Sequence, residues 1–181
     1  MSSEPSRPLA ERVHLIAHAL GHGGLFTDGD LAALRRMDPR VPDAPAFWKV
    51  HALFLNDIAH AGGDDADEFE RRWATLVVGL AHLRGLHRRG AHLGRACANA
   101  GLSEIRFSRL LRAEGNALVS ELSTLARFAS AKGQALDWSD AARLVFLDGD
   151  SGERVRRRIA REYYSTNPSD NSVPDRTGDT P

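Results

Sequence analysis

The chain is poor in the residues that mark secreted or membrane proteins. It has one cysteine, Cys97, which excludes an internal disulfide; the surrounding small-residue run RACANAG favours a packed thiol over a nucleophile. Its longest apolar stretch, LVVGLA, is far shorter than the roughly 20 residues that a membrane-spanning helix needs. The polar start MSSEPSRPLAER does not resemble a secretory signal. The sequence therefore predicts a cytoplasmic protein that makes no contact with a membrane.

Lysine is also scarce: of 24 basic residues, only Lys49 and Lys132 are lysines. The net charge is zero, yet residues 84–162 carry 15 basic and 9 acidic groups, a net of +6, whereas residues 1–83 carry 8 and 12. A guanidinium group matches the geometry of a phosphate better than an ammonium group does, so this arginine-rich half favours a phosphate-bearing partner. A genome-wide preference for arginine would explain the same composition.

β-Branched residues are sparse and no segment alternates apolar and polar residues, so the sequence does not predict a sheet. Apolar residues instead recur at helical spacing, as they do at Leu9, Val13, Ile16 and Leu20. We therefore predict an all-α fold of two small helical bundles packed in one elongated chain. The N-terminal helical lobe would span 1–90 and the C-terminal basic lobe 91–164. The tail at 165–181 has almost no core-forming residues and is predicted to be disordered.

Two helix ends are predicted from charge. The segment DDADEFERRWATLVVGLAHLRGLHR would form one helix whose last turns hold Arg84 and Arg88, where basic groups complement the helix dipole. In DWSDAARLVFL, Asp137 would be the N-cap and Asp140, three residues later, would complete an acidic version of a capping box.

The sequence gives no positive case for catalysis. His14 and His18 are four residues apart, but the segment between them lacks the glutamate of an H-E-x-x-H metal site, and packed or surface histidines are the simpler interpretation. We therefore predict that the protein is not an enzyme and that it uses no cofactor and no metal.

Two helices in the second half concentrate arginine. In NAGLSEIRFSRLLRAEG, Gly101 stands where a helix-turn-helix places its turn, and burial of Phe107 and Leu110 would expose Arg106, Arg109 and Arg112. In the last helix, arginines at i, i+3, i+4 and i+7 line the face opposite an apolar stripe. The candidate nucleic-acid-binding residues are Arg84, Arg88, Arg106, Arg109, Arg112, Arg143, Arg154, Arg157, Arg158 and Arg161. A solvated helix face is the alternative interpretation of the last stripe.

Three segments together resemble the small, CasB-type subunit of the type I-E CRISPR Cascade complex. They are GLSEIRFSRLLRAEG, the helix start DWSDAARLVFL and the terminal RVRRRIAREYY, and the resemblance covers about residues 92–164. Many family members carry a tryptophan where Ile159 stands, a departure that leaves the arginines in place.

The resemblance implies a non-catalytic, all-helical protein that works inside an antiviral surveillance complex. Its partners would be the backbone and large subunits, a second copy of itself, the guide RNA and the target DNA. Because guide pairing reads the sequence in such complexes, protein contacts need only hold the strand, without sequence preference. Two other functions stay open: a free-standing helix-turn-helix transcriptional regulator, and a structural adaptor whose arginines meet acidic protein surfaces.

Overall fold

The computed structural model describes residues 6–56 and 64–166, with side chains from 9 to 56 and from 66 to 166. Helices account for the regular structure of these two ranges, which contain no β-strand, so the all-α prediction is confirmed. The helices are α1 (Ser6–Ala19), α2 (Asp28–Arg36), α3 (Pro45–Phe54), α4 (Asp64–His82), α5 (Leu93–Asn99), α6 (Glu104–Arg112), α7 (Gly115–Lys132), α8 (Ser139–Phe146) and α9 (Gly149–Thr166). No helix within these ranges is long and apolar enough to cross a membrane.

The middle of α4 is the centre of the core. Every residue from Trp73 to Ala81 is buried, so the helix is enclosed on all sides, as expected where neighbours pack around it. Helices α1, α2, α7 and α8 pack against it. On one side Gly79 leaves room for the ring of Trp138, whose indole N–H donates to the Leu76 carbonyl at 3.1 Å. A side chain at position 79 would collide with that ring.

The division into two lobes at residue 90 stays a prediction. Helices from both sides of it pack together, α4 against α7 and α1 against α8, and the buried residues form one hydrophobic cluster. Residues 167–181 of the predicted disordered tail lie outside the described residues. Ser165 and Thr166, which the prediction assigned to that tail, continue α9.

The predicted end of α4 is wrong. The helix stops at His82, and Gly85 adopts a φ of +75°, a left-handed conformation that side-chain-bearing residues rarely adopt. Arg84 and Arg88 therefore lie in the loop between α4 and α5 rather than in a helical last turn. The dipole of α4 does not account for these two charges, because its effect is confined to the last turn.

This loop pairs with the loop that precedes α8. The Arg88 N–H donates to the Leu136 carbonyl and the Leu136 N–H to the Leu86 carbonyl, both at 3.0 Å. The Trp138 N–H donates to Nδ1 of His87 at 3.1 Å, so Nδ1 carries no proton in this arrangement. His87 faces His14, Asp137 and Arg89.

Acidification is expected to destabilise the fold through His87. Burial lowers the pKa of His87 below its ordinary 6.5, despite the charge of Asp137 nearby. The native state therefore binds a proton less readily than the unfolded chain, so this contribution is complete above about pH 6.5 and declines as the pH falls below it. We expect the urea concentration at the midpoint of unfolding to decrease when the pH is lowered from about 7.5 to about 5.5.

The His87→Asn variant isolates this contribution, because its side-chain oxygen can accept from the Trp138 N–H but does not titrate. The other histidines remain in both proteins, including His82, whose pKa burial also lowers. The variant should lose less stability than the wild type over the same pH interval, and equal losses would contradict the assignment.

Candidate nucleic-acid interface

The helices that carry most of the predicted site residues pack around the crossing of α5 and α9. Gly94 of α5 lies against the backbone of α9, where an added Cβ would collide with the Ile159 carbonyl oxygen. Ala96, Cys97 and Ala98, which follow in α5, are small and buried, whereas Arg95 is exposed. The sequence run RACANAG therefore serves close helix packing, and burial raises the pKa of the Cys97 thiol to about 12, which keeps it unreactive.

Helices α6 and α9 lie side by side. The ring of Phe107 stacks on Tyr163, with centroids 3.8 Å apart and planes 10° apart, and the Tyr163 hydroxyl donates to the Leu102 carbonyl at 2.6 Å. Arg156 donates to the carbonyls of Leu111 and Ala113, which closes the C-terminal end of α6. These contacts place the two arginine-bearing helices next to each other.

The stripe predicted on α9 is divided in two. Arg154, Arg157 and Arg161 are exposed on the side away from the buried Val155, Ile159 and Tyr163. Arg158 lies at the edge of that buried stripe instead, and its guanidinium donates to Asp140 of α8 at 2.6 Å. The hydrogen bond and charge of Asp140 outweigh partial burial and raise the pKa of Arg158 above its usual value.

Asp140 gathers several donors at one fully buried carboxylate. It accepts from the Leu93 N–H at 3.0 Å, from Arg143 at 2.8 Å and from Arg158 at 2.6 Å. It thereby joins the start of α5 to α8 and α9. The predicted acidic capping box is therefore wrong: the Asp137 side chain accepts from the Ser139 N–H, but Asp140 points to other helices.

Among the described residues, the cluster whose ligand atoms are close enough to bind a metal ion already contains an arginine. Ligand atoms of His92, Asp140 and Glu162 lie within 4.8 Å of one another. Arg158 donates into the same cluster and lies 3.7 Å from Glu162 and 3.4 Å from the His92 ring. Arg158, together with Arg143 on Asp140, thus supplies the positive charge that balances these two carboxylates.

The ten predicted site residues fall into two groups, according to whether a carboxylate lies close to the guanidinium among the described residues. Four are held by carboxylates: Arg84 by Asp28, Arg109 by Glu121, and Arg143 and Arg158 by Asp140. The other six are exposed and have no carboxylate within 3.5 Å in the described ranges: Arg88, Arg106, Arg112, Arg154, Arg157 and Arg161. Arg157 has the nearest acid, Glu153 at 3.8 Å.

The sequence prediction left out Arg95, which is exposed on α5 and has no ion pair among the described residues. The sequence could have predicted its exposure. A single large charged side chain between small apolar residues cannot fit in a close helix crossing and must point to solvent. A turn at Gly101, with a φ of +73°, joins α5 to α6, as the helix-turn-helix alternative requires, but α5 packs on α9 and α6 on α7.

Comparison with known proteins identifies the family. A search of curated proteins finds no match to the chain. The family model described as CRISPR-associated protein Cse2 matches residues 30–164, about three quarters of the sequence, and so includes every helix from α3 to α8 and nearly all of α9. The chain therefore belongs to the Cse2 family, the small subunits of the type I-E CRISPR Cascade complex.

Proposed function

We propose that this Cascade small subunit holds a nucleic-acid strand by its phosphates, without reading its sequence, and stabilises the assembled complex in antiviral defence. It would do so in the cytoplasm, beside a second copy of itself and in contact with the backbone and large subunits, the guide RNA and the target DNA. The observation that supports the proposal best is the exposed face of α9. There Arg154, Arg157 and Arg161 are exposed together, and among the described residues the nearest carboxylate is that of Glu153, 3.8 Å from Arg157.

Like charges at this spacing repel one another and cost a few tenths of a kcal/mol per pair in an isolated helix. The structure offers a contrast on the same helix, because Arg158 is neutralised by Asp140 whereas its exposed neighbours are not. A phosphate backbone would supply the missing counter-charge.

We also propose that the protein is not a catalyst. The side chains that would meet the strand are guanidinium groups, which remain charged at neutral pH and do not act as acids or bases. They can position a phosphodiester and neutralise its charge, but they offer neither a nucleophile nor a proton acceptor for its cleavage.

A salt titration of strand binding tests the proposed interface. If the six exposed arginines each neutralise one phosphate of a single strand, log K should fall with log salt at a slope near −4. Replacing Arg154, Arg157 and Arg161 with alanine should flatten that slope by about 2 and weaken unrelated sequences alike, because phosphate contacts carry no base information. Binding of several unrelated labelled strands by the full chain would be measured.

Arg36→Ala is the matched control, because Arg36 is exposed on α2, which packs against α3 and α4. It removes one equal charge and should leave the slope unchanged. A triple variant with the wild-type slope would refute the α9 interface. Strong preference for one palindromic duplex would instead support a helix-turn-helix regulator.

A further inference from the structure

The exposed face of α9 ends in an aromatic ring. Tyr164 follows Arg157 by seven residues and Arg161 by three, spacings that put all three side chains on one side of a helix. Its side chain is 40% exposed, whereas the adjacent Tyr163 is 2% exposed and packed in the core. The two tyrosines therefore differ in environment: Tyr163 packs in the interior of the fold, whereas Tyr164 lies at its surface.

The ring of Tyr164 is held in a fixed orientation. Its hydroxyl donates to Glu104 of α6 at 2.9 Å, which raises the pKa of Tyr164 and keeps the hydroxyl protonated. The ring is nearly perpendicular to Tyr163, at 87°, and to Phe107, at 83°. A ring that is already oriented loses little conformational freedom when a ligand packs on it.

Two arginines accompany the ring of Tyr164. Arg161 lies one turn earlier on α9, and the positive charge of Arg112 on α6 acts on the Tyr164 hydroxyl. An exposed aromatic ring beside arginines suits a single nucleic-acid strand, whose phosphates and bases are accessible together.

We propose that Tyr164 is a base-stacking residue that takes one unpaired base of the strand whose phosphates lie along Arg157 and Arg161. The inference rests on the proposed function and deepens it by naming the ligand as single-stranded. Bases inside a duplex present their edges and not their faces, so this contact would favour a single strand over a duplex. Every base has a π face, so the contact would not select a sequence.

Removal of the ring should weaken binding without changing its salt dependence. Alanine substitution at a base-stacking aromatic residue typically weakens binding by about 5- to 150-fold. We expect an effect in that range for Tyr164→Ala with an unchanged salt slope, because no charge is removed. Tyr164→Phe keeps the ring and should stay close to the wild type. Tyr164→Leu keeps apolar bulk without a π system and should resemble Tyr164→Ala.

An abasic strand of equal length separates base contact from phosphate contact. The wild type should bind it more weakly than an ordinary single strand, whereas Tyr164→Ala should bind the two alike. Trp48→Ala is the matched control, since Trp48 is 43% exposed on α3 and should not affect strand binding. Thermal unfolding of each full-length variant establishes that the comparison is made between folded proteins.

Two results would overturn the inference and leave the proposed function standing. One is a Tyr164→Ala variant that binds ordinary and abasic strands as the wild type does. The other is unchanged strand binding with lost co-purification of the other Cascade subunits, which would assign the ring to a protein contact. If the wild type binds no strand at any salt concentration, the proposed function itself fails.

Discussion

Asp140→Ala is expected to lower the free energy of unfolding by about 3 kcal/mol. Asp140 is fully buried and accepts from a backbone N–H and two arginines, so its removal leaves the Leu93 N–H and two guanidinium groups without their acceptor. Breaking a buried ion pair costs about 3–5 kcal/mol in general. The side chains of Arg143 and Arg158 are 24% and 35% exposed, so water can partly replace the lost partner, and the lower end of that range applies.

The Asp140→Asn variant distinguishes charge from shape. Asparagine can still accept from the Leu93 N–H but no longer balances the arginines, and we expect a loss of about 2 kcal/mol. Asp43→Ala, at an exposed position, is the control and should stay within about 0.5 kcal/mol of the wild type. Urea denaturation at neutral pH measures all three. Equal midpoints for Asp140→Ala and Asp43→Ala would show that Asp140 does not hold α5, α8 and α9 together.

Gly94→Ala is expected to cost about 3 kcal/mol, the upper part of the range for overpacked sites. The added Cβ would collide with the Ile159 carbonyl oxygen and come within 2.8 Å of the Glu162 Cβ. The carbonyl oxygen belongs to the backbone of α9 and cannot rotate away as a side chain can. Helices α5 and α9 must therefore separate, which also disturbs the hydrogen bond from Tyr163 to Leu102.

Gly29→Ala makes the same chemical change where space is available. Gly29 lies in α2, and its added Cβ would meet only the Thr27 hydroxyl at 3.6 Å, an ordinary contact. Alanine is about 0.5–1 kcal/mol better than glycine inside a helix, so this control should be neutral or stabilising. Thermal unfolding compares the pair. If both substitutions change the midpoint temperature of unfolding by the same amount, a side chain at position 94 can be accommodated without separating α5 and α9.

The sequence predicted the helices well because their apolar spacing is a local property. Leu118, Leu122 and Leu125 mark one face of α7, and all three are buried. The family resemblance is confirmed by a family model that covers the same C-terminal segments. Both successes rest on the order and spacing of residues along the chain, which need no knowledge of contacts between helices.

Two features of the site depend on contacts between distant residues, which spacing along the sequence does not give. Arg158 shares the helical spacing of Arg157, and only the position of Asp140, 18 residues earlier on another helix, decides that it is neutralised. Asp140 itself matches a capping-box position, yet donors from α5 and α9 occupy its carboxylate. Spacing gives the face of a helix but not the partner that faces it.

The contrast between Arg158 and the exposed arginines of α9 sets how the protein should respond to ionic strength. At about 1 M salt the Debye length is near 3 Å, so interactions of solvent-exposed charges with a strand are largely screened, whereas buried pairs are screened much less. The Asp140 cluster lies on the inner side of α9 and Arg154, Arg157 and Arg161 on the outer side. A bound strand should thus dissociate in concentrated salt while the helices keep their arrangement. Strand dissociation and unfolding should therefore occur at different salt concentrations.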